Sequence, residues 1–210
     1  MKKLLIIPTV LLIAFLFWSF SRNALGADSG FLFPSTAAND ASVGTQAWTS
    51  PENVTTDDAS LATVSCHTAS ANAESSIRLF IGGSPAGDNK STGAIWPNGD
   101  LTHGGATDLW GLTPTVAQIN ASDFGIGYSI TGNICTSQYL YASDFGFQIP
   151  DGATIDGIET VAEATHNTAT AKVDFIEIKV YYTEATASPQ VAVSKTIKGG
   201  TTIKGGTTIK

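Results

Sequence analysis

Two segments of the chain alternate between apolar and polar residues, and this pattern restricts the fold more than any other feature. In segment 172–183 the residues of one face are apolar: Ile176, Ile178, Val180 and Tyr182. In segment 75–83 the corresponding residues are Ile77, Leu79 and Ile81. Successive side chains of a β-strand point to opposite faces, so a period of two predicts strands of a sheet with one buried face.

Turn residues divide the rest of the chain into short segments of strand-forming composition. Further strands are predicted at 61–66, 124–130, 138–141, 145–149 and 154–164. Residues 82–89 and 95–111, rich in glycine and other turn formers, are predicted to be loops. One short helix is predicted at 115–120, with Thr113 as its N-cap and Pro114 at its first position. We therefore expect an all-β fold, a β-sandwich or jelly-roll-like domain with about eight strands and one short helix.

Residues 1–27 have the three parts of a secretory signal peptide. Two lysines follow Met1, residues 4–20 are almost entirely apolar, and segment 24–27 contains three small residues, which predicts cleavage after Gly26 or Ala27. An uncleaved membrane anchor is the alternative, since 17 residues are at the lower limit of a bilayer span. We expect the mature protein to be extracellular or on the cell surface, with membrane contact only through an uncleaved N-terminus.

Composition divides the remainder into three parts. Residues 28–46 are small and polar, and form a predicted N-terminal arm. Its apolar residues 31–34 are expected to form an edge strand or to pack on a neighbouring molecule. Residues 47–185 contain the predicted sandwich. Residues 186–210 form a predicted basic tail.

The tail repeats a six-residue unit of Thr, Ile, Lys and Gly. Residues six apart face the same side of an extended chain, which groups one set of tail residues: Ile197, Ile203 and Ile209, with Lys198 and Lys204 beside them. Such a strand leaves its backbone groups unpaired, and we predict that it adds to a sheet edge of another molecule. A disordered, soluble tail is the alternative, since repeats rich in Gly and Lys often remain unfolded.

The body and the tail carry opposite charges. Residues 28–187 hold all 18 acidic residues and 4 basic ones, a net charge of −14, whereas residues 188–210 hold 4 lysines and no acid. An acidic body repels phosphates, so nucleic acid is not an expected partner. The expected partners are copies of the same chain or other surface proteins, towards which opposite charges guide the tail.

The chain has two cysteines, Cys66 and Cys135. An even number of cysteines in an oxidising compartment predicts one disulfide. Two buried free thiols are the alternative. A bond between these residues would close a loop of about 70 residues and contribute on the order of 4 kcal/mol in the chain-entropy model.

Several stretches resemble a β-sandwich domain that recurs in phage-like and metagenome-derived surface and structural proteins. They are TDLWG at 107–111, INASDFG at 119–125, FGFQIPDGATIDGI at 145–158 and VDFIEIKVYYT at 173–183. The resemblance covers residues 47–183, and relatives often carry a similar Lys-Gly-Thr tail. One departure is the order of segments, because here 139–163 follows 75–127. The resemblance implies a structural or recognition module and supplies no catalytic residues.

Motifs for catalysis and for metal binding are weak, and we do not expect an enzyme or a cofactor. The stretch GGSPA at 82–86 lacks the final glycine of a G-x-S-x-G nucleophile elbow, and no helix follows it. Cys66 and His67 are adjacent, which is not a chelating spacing, so no transition-metal site is predicted. Calcium is a minor alternative, for which Asp57, Asp58 and the acidic turn 151–156 offer oxygen ligands.

Aromatic residues near predicted loops provide the basis for a second functional hypothesis. Trp96, Trp110 and Tyr139 could stack on sugar rings, which would make the chain a carbohydrate- or surface-binding module. The alternative is that these rings pack into the core at the base of the loops. The first hypothesis remains a non-catalytic structural or adhesive subunit of an extracellular or surface assembly.

One pentapeptide, Ala-Ser-Asp-Phe-Gly, occurs at 121–125 and again at 142–146. Both copies are expected to play the same physical role. The Asp would accept backbone hydrogen bonds in a turn, the Phe would enter the core, and the Gly would permit close approach before the next strand.

Overall fold

The computed structural model describes residues 26–68 and 71–186. Within these residues the chain forms ten strands, a 3₁₀ helix at Pro51–Thr55 and one α-helix, α1, at Val116–Ile119. In chain order the strands are β1 Gly26–Asp28, β2 Thr36–Asp40, β3 Ala62–Ser65, β4 Ala73–Ile81, β5 Ser84–Ala86, β6 Gly99–Gly105, β7 Gly125–Thr131, β8 Tyr139–Ser143, β9 Thr154–His166 and β10 Thr170–Thr183.

The strands form two antiparallel sheets, which confirms the predicted all-β sandwich. Sheet A has the order β1-β10-β9-β6, and β3 also pairs with β10. Sheet B has the order β2-β8-β7-β4-β5. β1 and β3 cover different parts of the same edge of β10, because Gly26 lies opposite Thr183 and Ala62 lies opposite Val173.

The hydrophobic core is built from the alternating residues of both sheets. On β10 the buried residues include Ile176, Ile178 and Val180, as the alternation predicted. The facing sheet contributes Ile77 and Leu79 from β4 together with residues of β7 and β8. The two layers are also linked by a hydrogen bond, in which the buried Tyr128 hydroxyl of sheet B donates to Thr160 Oγ1 of sheet A at 3.0 Å. Burial raises the pKa of Tyr128, so this hydroxyl keeps its proton.

The predicted strand at 145–149 is wrong. Phe145, Phe147 and Ile149 are buried in alternation, but no strand forms there. The backbone of Ile149 bonds to a side chain instead, since Asn120 Nδ2 donates to the Ile149 carbonyl and Asn120 Oδ1 accepts from its N–H. An amide side chain thus replaces the neighbouring strand.

Two predicted loops contain strands. Gly82 and Gly83 both have positive φ, 62° and 69°, and they turn β4 back into β5 as a hairpin. The predicted loop 95–111 contains β6, which pairs with β9 along its whole length. Glycine in these segments marks tight turns and an edge strand, rather than an absence of regular structure.

The short helix is present, but its N-terminus differs from the prediction. The N-cap is Thr115 rather than Thr113, and Pro114 precedes the helix. Thr115 Oγ1 accepts from the Gln118 N–H at 3.2 Å, and Gln118 Oε1 accepts from the Thr115 N–H at 2.9 Å. This reciprocal capping box marks the start of the helix, the role that the Thr-Pro pair was expected to have.

The predicted N-terminal arm is part of the sandwich. β1 extends sheet A, Leu32 bridges Ile178 of β10, and β2 extends sheet B by pairing with β8. The predicted cleavage points after Gly26 and Ala27 therefore fall within β1. Residues 1–25 of the predicted signal peptide and 187–210 of the predicted tail lie outside the described residues. Within 26–68 and 71–186, no helix is long and apolar enough to cross a membrane.

Candidate functional site

The structure buries the three aromatic residues predicted to stack on sugars. Trp96 and Trp110 are 0% exposed and Tyr139 is 3% exposed. Their polar atoms are also engaged: the indole N–H of Trp96 donates to the Lys172 carbonyl, and that of Trp110 donates to the Ile158 carbonyl. No ring face is open to a ligand, which corrects the glycan-stacking interpretation of these residues in favour of packing in the fold.

The predicted disulfide is present between Cys66 and Cys135. Cys66 follows β3 of sheet A, and Cys135 lies in the connection between β7 and β8 of sheet B. The Ile134 N–H also donates to the Cys66 carbonyl at 3.1 Å. The bond therefore ties one sheet to the other.

Three carboxylates, which we call the carboxylate cluster, meet at sheet A: Asp57, Glu163 and Asp174. One oxygen from each lies within 4.8 Å of the others. Asp57 comes from the loop after the 3₁₀ helix and is exposed, Glu163 is on β9, and Asp174 is on β10 with only 9% of its surface exposed.

A β-bulge in β10 explains how Asp174 reaches this position. Val173 lies opposite Ala164 and Ile176 lies opposite Ala162, so β10 uses one more residue than β9 between these pairs. The extra residue interrupts the alternation, and both Val173 and Asp174 are buried. Bulges re-aim side chains in this way, and this one leaves Asp174 near Glu163, the β9 residue between the two pairs.

The loop 56–60 supplies Asp57 to the cluster. Its neighbour Asp58 is occupied by the turn itself, because it accepts from the Ser60 N–H at 2.9 Å and from the Thr56 hydroxyl at 3.2 Å. The hydrogen bonds from Ser60 and Thr56 lower the pKa of Asp58. Among the described residues, no hydrogen bond or salt bridge engages Asp57.

Asp174 is only half satisfied by the protein. Its Oδ2 accepts from the Ala59 N–H at 3.2 Å, which also attaches the loop to the sheet. Its Oδ1 is buried and has no hydrogen-bond partner in the described part of the chain. A buried carboxylate oxygen without a partner among the described residues costs free energy.

Two further carboxylates, Asp100 and Glu177, lie near the carboxylate cluster. Asp100 of β6 lies directly opposite Glu163 in the strand register. Burial, with the nearby charges of Asp57 and Asp100, raises the pKa of Glu177. Within residues 26–68 and 71–186, none of these five carboxylates forms a salt bridge. The region therefore attracts cations.

Part of this site was predicted from the sequence. Asp57 was predicted to be an oxygen ligand, whereas Glu163 and Asp174 were not, although the break in alternation at 173–176 indicates a bulge. The acidic turn 151–156 does not join the cluster. Asp156 is instead bonded within the sheet, since its Oδ2 accepts from the Thr183 hydroxyl at 2.6 Å.

Two exposed rings from the N-terminal segment form an apolar patch beside this region. Phe31 is 37% and Phe33 is 40% exposed. Phe33 packs edge-on against Phe175 at 5.8 Å, and the Lys179 ammonium lies 4.4 Å from the centre of the Phe31 ring. We call Phe31, Phe33 and Phe175 the aromatic patch.

One groove is lined mainly by apolar and uncharged residues. It has a volume of about 530 Å³ and lies between α1 and the start of β9. Its lining includes Leu109, Val116 and Ile155, and no titratable side chain is among the lining residues.

The predicted tail residues lie outside the described residues, so only the surfaces that could receive them are defined. They are Ile197, Lys198, Ile203, Lys204 and Ile209. β6 is the last strand of sheet A, and its outer edge has no partner strand in the part of the chain that the structure describes. Comparisons of the chain with protein-family models, with curated proteins and with solved structures gave no match.

Proposed function

We propose that this chain is a secreted, non-catalytic structural or adhesive protein and a subunit of an extracellular or surface assembly. The observation that carries the proposal is the outer edge of β6, which has no partner strand among the described residues. This edge lies next to an acidic surface, and the same chain contains a basic repeat of strand-forming composition at 195–210. An open edge with unpaired backbone groups accepts an added strand.

The length and composition of β6 suit a strand of the tail. β6 has seven residues, Gly99–Gly105, and the tail repeats every six residues. Asp100 and Thr102 are exposed on β6, whereas Leu101 is buried. A tail strand could therefore pair its backbone with β6, place isoleucines beside Leu101 and leave lysines near Asp100.

Charge favours the same contact. Asp100 lies opposite Glu163, in a region of five carboxylates without salt bridges among the described residues. The four lysines of the tail supply the opposite sign. Attraction between exposed charges weakens with salt, because the screening length falls from about 10 Å at 0.1 M to about 3 Å at 1 M.

The aromatic patch supports a second contact between molecules. Exposed Phe31 and Phe33 precede β2, so the N-terminal segment presents apolar surface as well as strands. The carbohydrate-binding alternative is weaker, because the rings it relied on are buried.

Deletion of the tail tests the proposal. The mature protein and a form ending at Pro189 are compared by size-exclusion chromatography at rising concentration and by electron microscopy. We expect the full chain to assemble and the truncated chain to remain monomeric, with assembly weakened by high salt.

A matched variant separates the apolar row from charge alone. Replacing Ile197, Ile203 and Ile209 by Asn keeps every lysine, so assembly should still fail if the strand contact is correct. Replacing Thr201, Thr202 and Thr207 by Ser serves as the control and should leave assembly intact. Equal behaviour of the full and truncated chains, either both assembled or both monomeric, would refute a role for the tail between molecules.

A further inference from the structure

We propose that Asp57, Glu163 and Asp174 bind a Ca²⁺ ion that joins the loop 56–60 to strands β9 and β10. The site is formed within one chain, so it does not require the proposed assembly role. Three carboxylates from three separate segments converge on it.

The spacing of the oxygens suits calcium. Ca²⁺ binds carboxylate oxygens at about 2.3–2.6 Å, so two ligands on opposite sides of the ion are up to about 5 Å apart. One oxygen of each cluster residue lies within 4.8 Å of the others. Mg²⁺ requires near-octahedral geometry, usually keeps several of its waters and is bound by one or two carboxylates, so three converging carboxylates favour Ca²⁺.

The unpaired oxygen of Asp174 indicates that the site takes a ligand. Asp174 is 9% exposed, its Oδ1 is buried without a partner among the described residues, and its Oδ2 receives only the Ala59 N–H. A cation placed between Asp174 and its two neighbours would satisfy this oxygen. It would also remove the repulsion between three like charges.

The surroundings add negative charge, and no salt bridge among residues 26–68 and 71–186 involves the three cluster carboxylates. Asp100 and Glu177 lie beside the cluster, and the raised pKa of Glu177 reflects burial and the neighbouring negative charges. Lys179, which shares β10 with Asp174, is instead paired with Glu159 at 3.6 Å. Exposed Asp57 leaves one side of the site open, so water would complete the six to eight ligands that Ca²⁺ prefers.

The expected affinity is that of an extracellular calcium module, with a Kd of about 10⁻⁴–10⁻³ M, because only three protein carboxylates converge on a solvent-open site. Ligand binding to the folded state alone lowers the unfolding equilibrium constant by a factor of 1 + [Ca²⁺]/Kd. In ~5 mM Ca²⁺ we therefore expect the apparent unfolding constant to fall about 5- to 50-fold.

The experiment uses the mature protein, titrated with CaCl₂ in a calorimeter and unfolded with denaturant in EDTA or in Ca²⁺. The variants Asp57→Asn, Glu163→Gln and Asp174→Asn should each lose the heat of binding and the stabilisation. The control Asp151→Asn removes an acid from the turn 151–156 and should keep both. MgCl₂ at the same concentration should stabilise the parent protein much less.

The sign of the effect in EDTA separates a ligand from a structural residue. Asp57→Asn removes repulsion and breaks no hydrogen bond among the described residues, so in EDTA it should be at least as stable as the parent. In Ca²⁺ the order should reverse. The proposal is overturned if Ca²⁺ produces neither heat nor stabilisation, if all four variants respond like the parent, or if only Asp151→Asn loses the response.

Discussion

On the outer face of sheet B, the rings of Phe80, Tyr139 and Tyr141 pack together, whereas the outer face of sheet A carries the carboxylate cluster. Phe80 stacks on Tyr141 at 4.2 Å and meets Tyr139 edge-on at 5.3 Å. Gly127 makes this packing possible, because a Cβ there would lie 2.5 Å from Phe80 and 2.8 Å from Tyr139. Phe80 is consequently 0% exposed, although it lies outside the main core.

The two faces show two ways to use the outside of a sandwich. On sheet B, Gly127 of the middle strand β7 leaves room for aromatic rings of the neighbouring strands β4 and β8. These rings pack over β7 and cover the outer face. Sheet A leaves charges and rings partly exposed and leaves Asp174 Oδ1 unpaired. The first face contributes stability, and the second is the surface on which we propose that partners and a Ca²⁺ ion bind.

The largest effect should come from removing the ring that closes sheet B. Phe80→Ala should lower the free energy of unfolding by about 3–5 kcal/mol, the usual cost of deleting a fully buried phenylalanine. Phe175→Ala is the matched change on sheet A, where the ring is partly exposed and packs on Phe33. Its cost should be clearly smaller when both are measured by denaturant unfolding, and equal losses would contradict the contrast between the faces.

The disulfide tests how strongly the two sheets depend on each other. Replacing both Cys66 and Cys135 by Ala should cost about 2–5 kcal/mol, because the unfolded chain loses a long closed loop. Denaturant unfolding with and without reductant checks this. Reductant should destabilise the parent and leave the variant unchanged. A reductant effect of the same size on both proteins would show that the bond is not its cause.

The smallest effect concerns a buried pair between the sheets, His103 of β6 and Glu74 of β4. His103 Nε2 lies 3.7 Å from Glu74 Oε1 and has no hydrogen bond among the described residues. Burial lowers the pKa of His103 below 6.5, Lys90 lowers it further, and Glu74 partly opposes both. The folded protein therefore binds this proton less readily than the unfolded chain.

Stability should consequently fall as the pH drops below about 6.5, where the unfolded chain takes up a proton that the folded chain resists. The limit is about 1.4 kcal/mol per pH unit for one proton, and partial solvent exposure lowers it. His103→Gln should flatten the dependence of unfolding free energy on pH between 7 and 5, with His166→Gln as the control. An unchanged slope in His103→Gln would exclude this residue as the source.

The repeated pentapeptide shows where local reasoning succeeds and where it ends. Both phenylalanines, Phe124 and Phe145, enter the core as expected, and both pack on Phe147 at 5.8 Å. The two glycines differ: a Cβ on Gly125 would lie 2.0 Å from the Ala142 carbonyl, whereas Gly146 has free space and a φ of 69°. Only the first copy leads into a strand, β7.

Sequence analysis alone was sufficient for the all-β fold, the buried faces of β4 and β10 and the partner of Cys66. The fold class and the buried faces follow from the alternation of apolar and polar residues within each strand. The disulfide follows from the presence of only two cysteines. Neither prediction requires knowledge of which strands are neighbours. The strand β6 and the missing strand at 145–149 required the tertiary structure, because pairing depends on which backbone groups a neighbour offers. The carboxylate cluster also required the tertiary structure. A one-residue bulge in β10 and the path of the loop 56–60 bring together Asp57, Glu163 and Asp174. Asp57 is far from the other two in the chain, so no local sequence pattern predicts this contact.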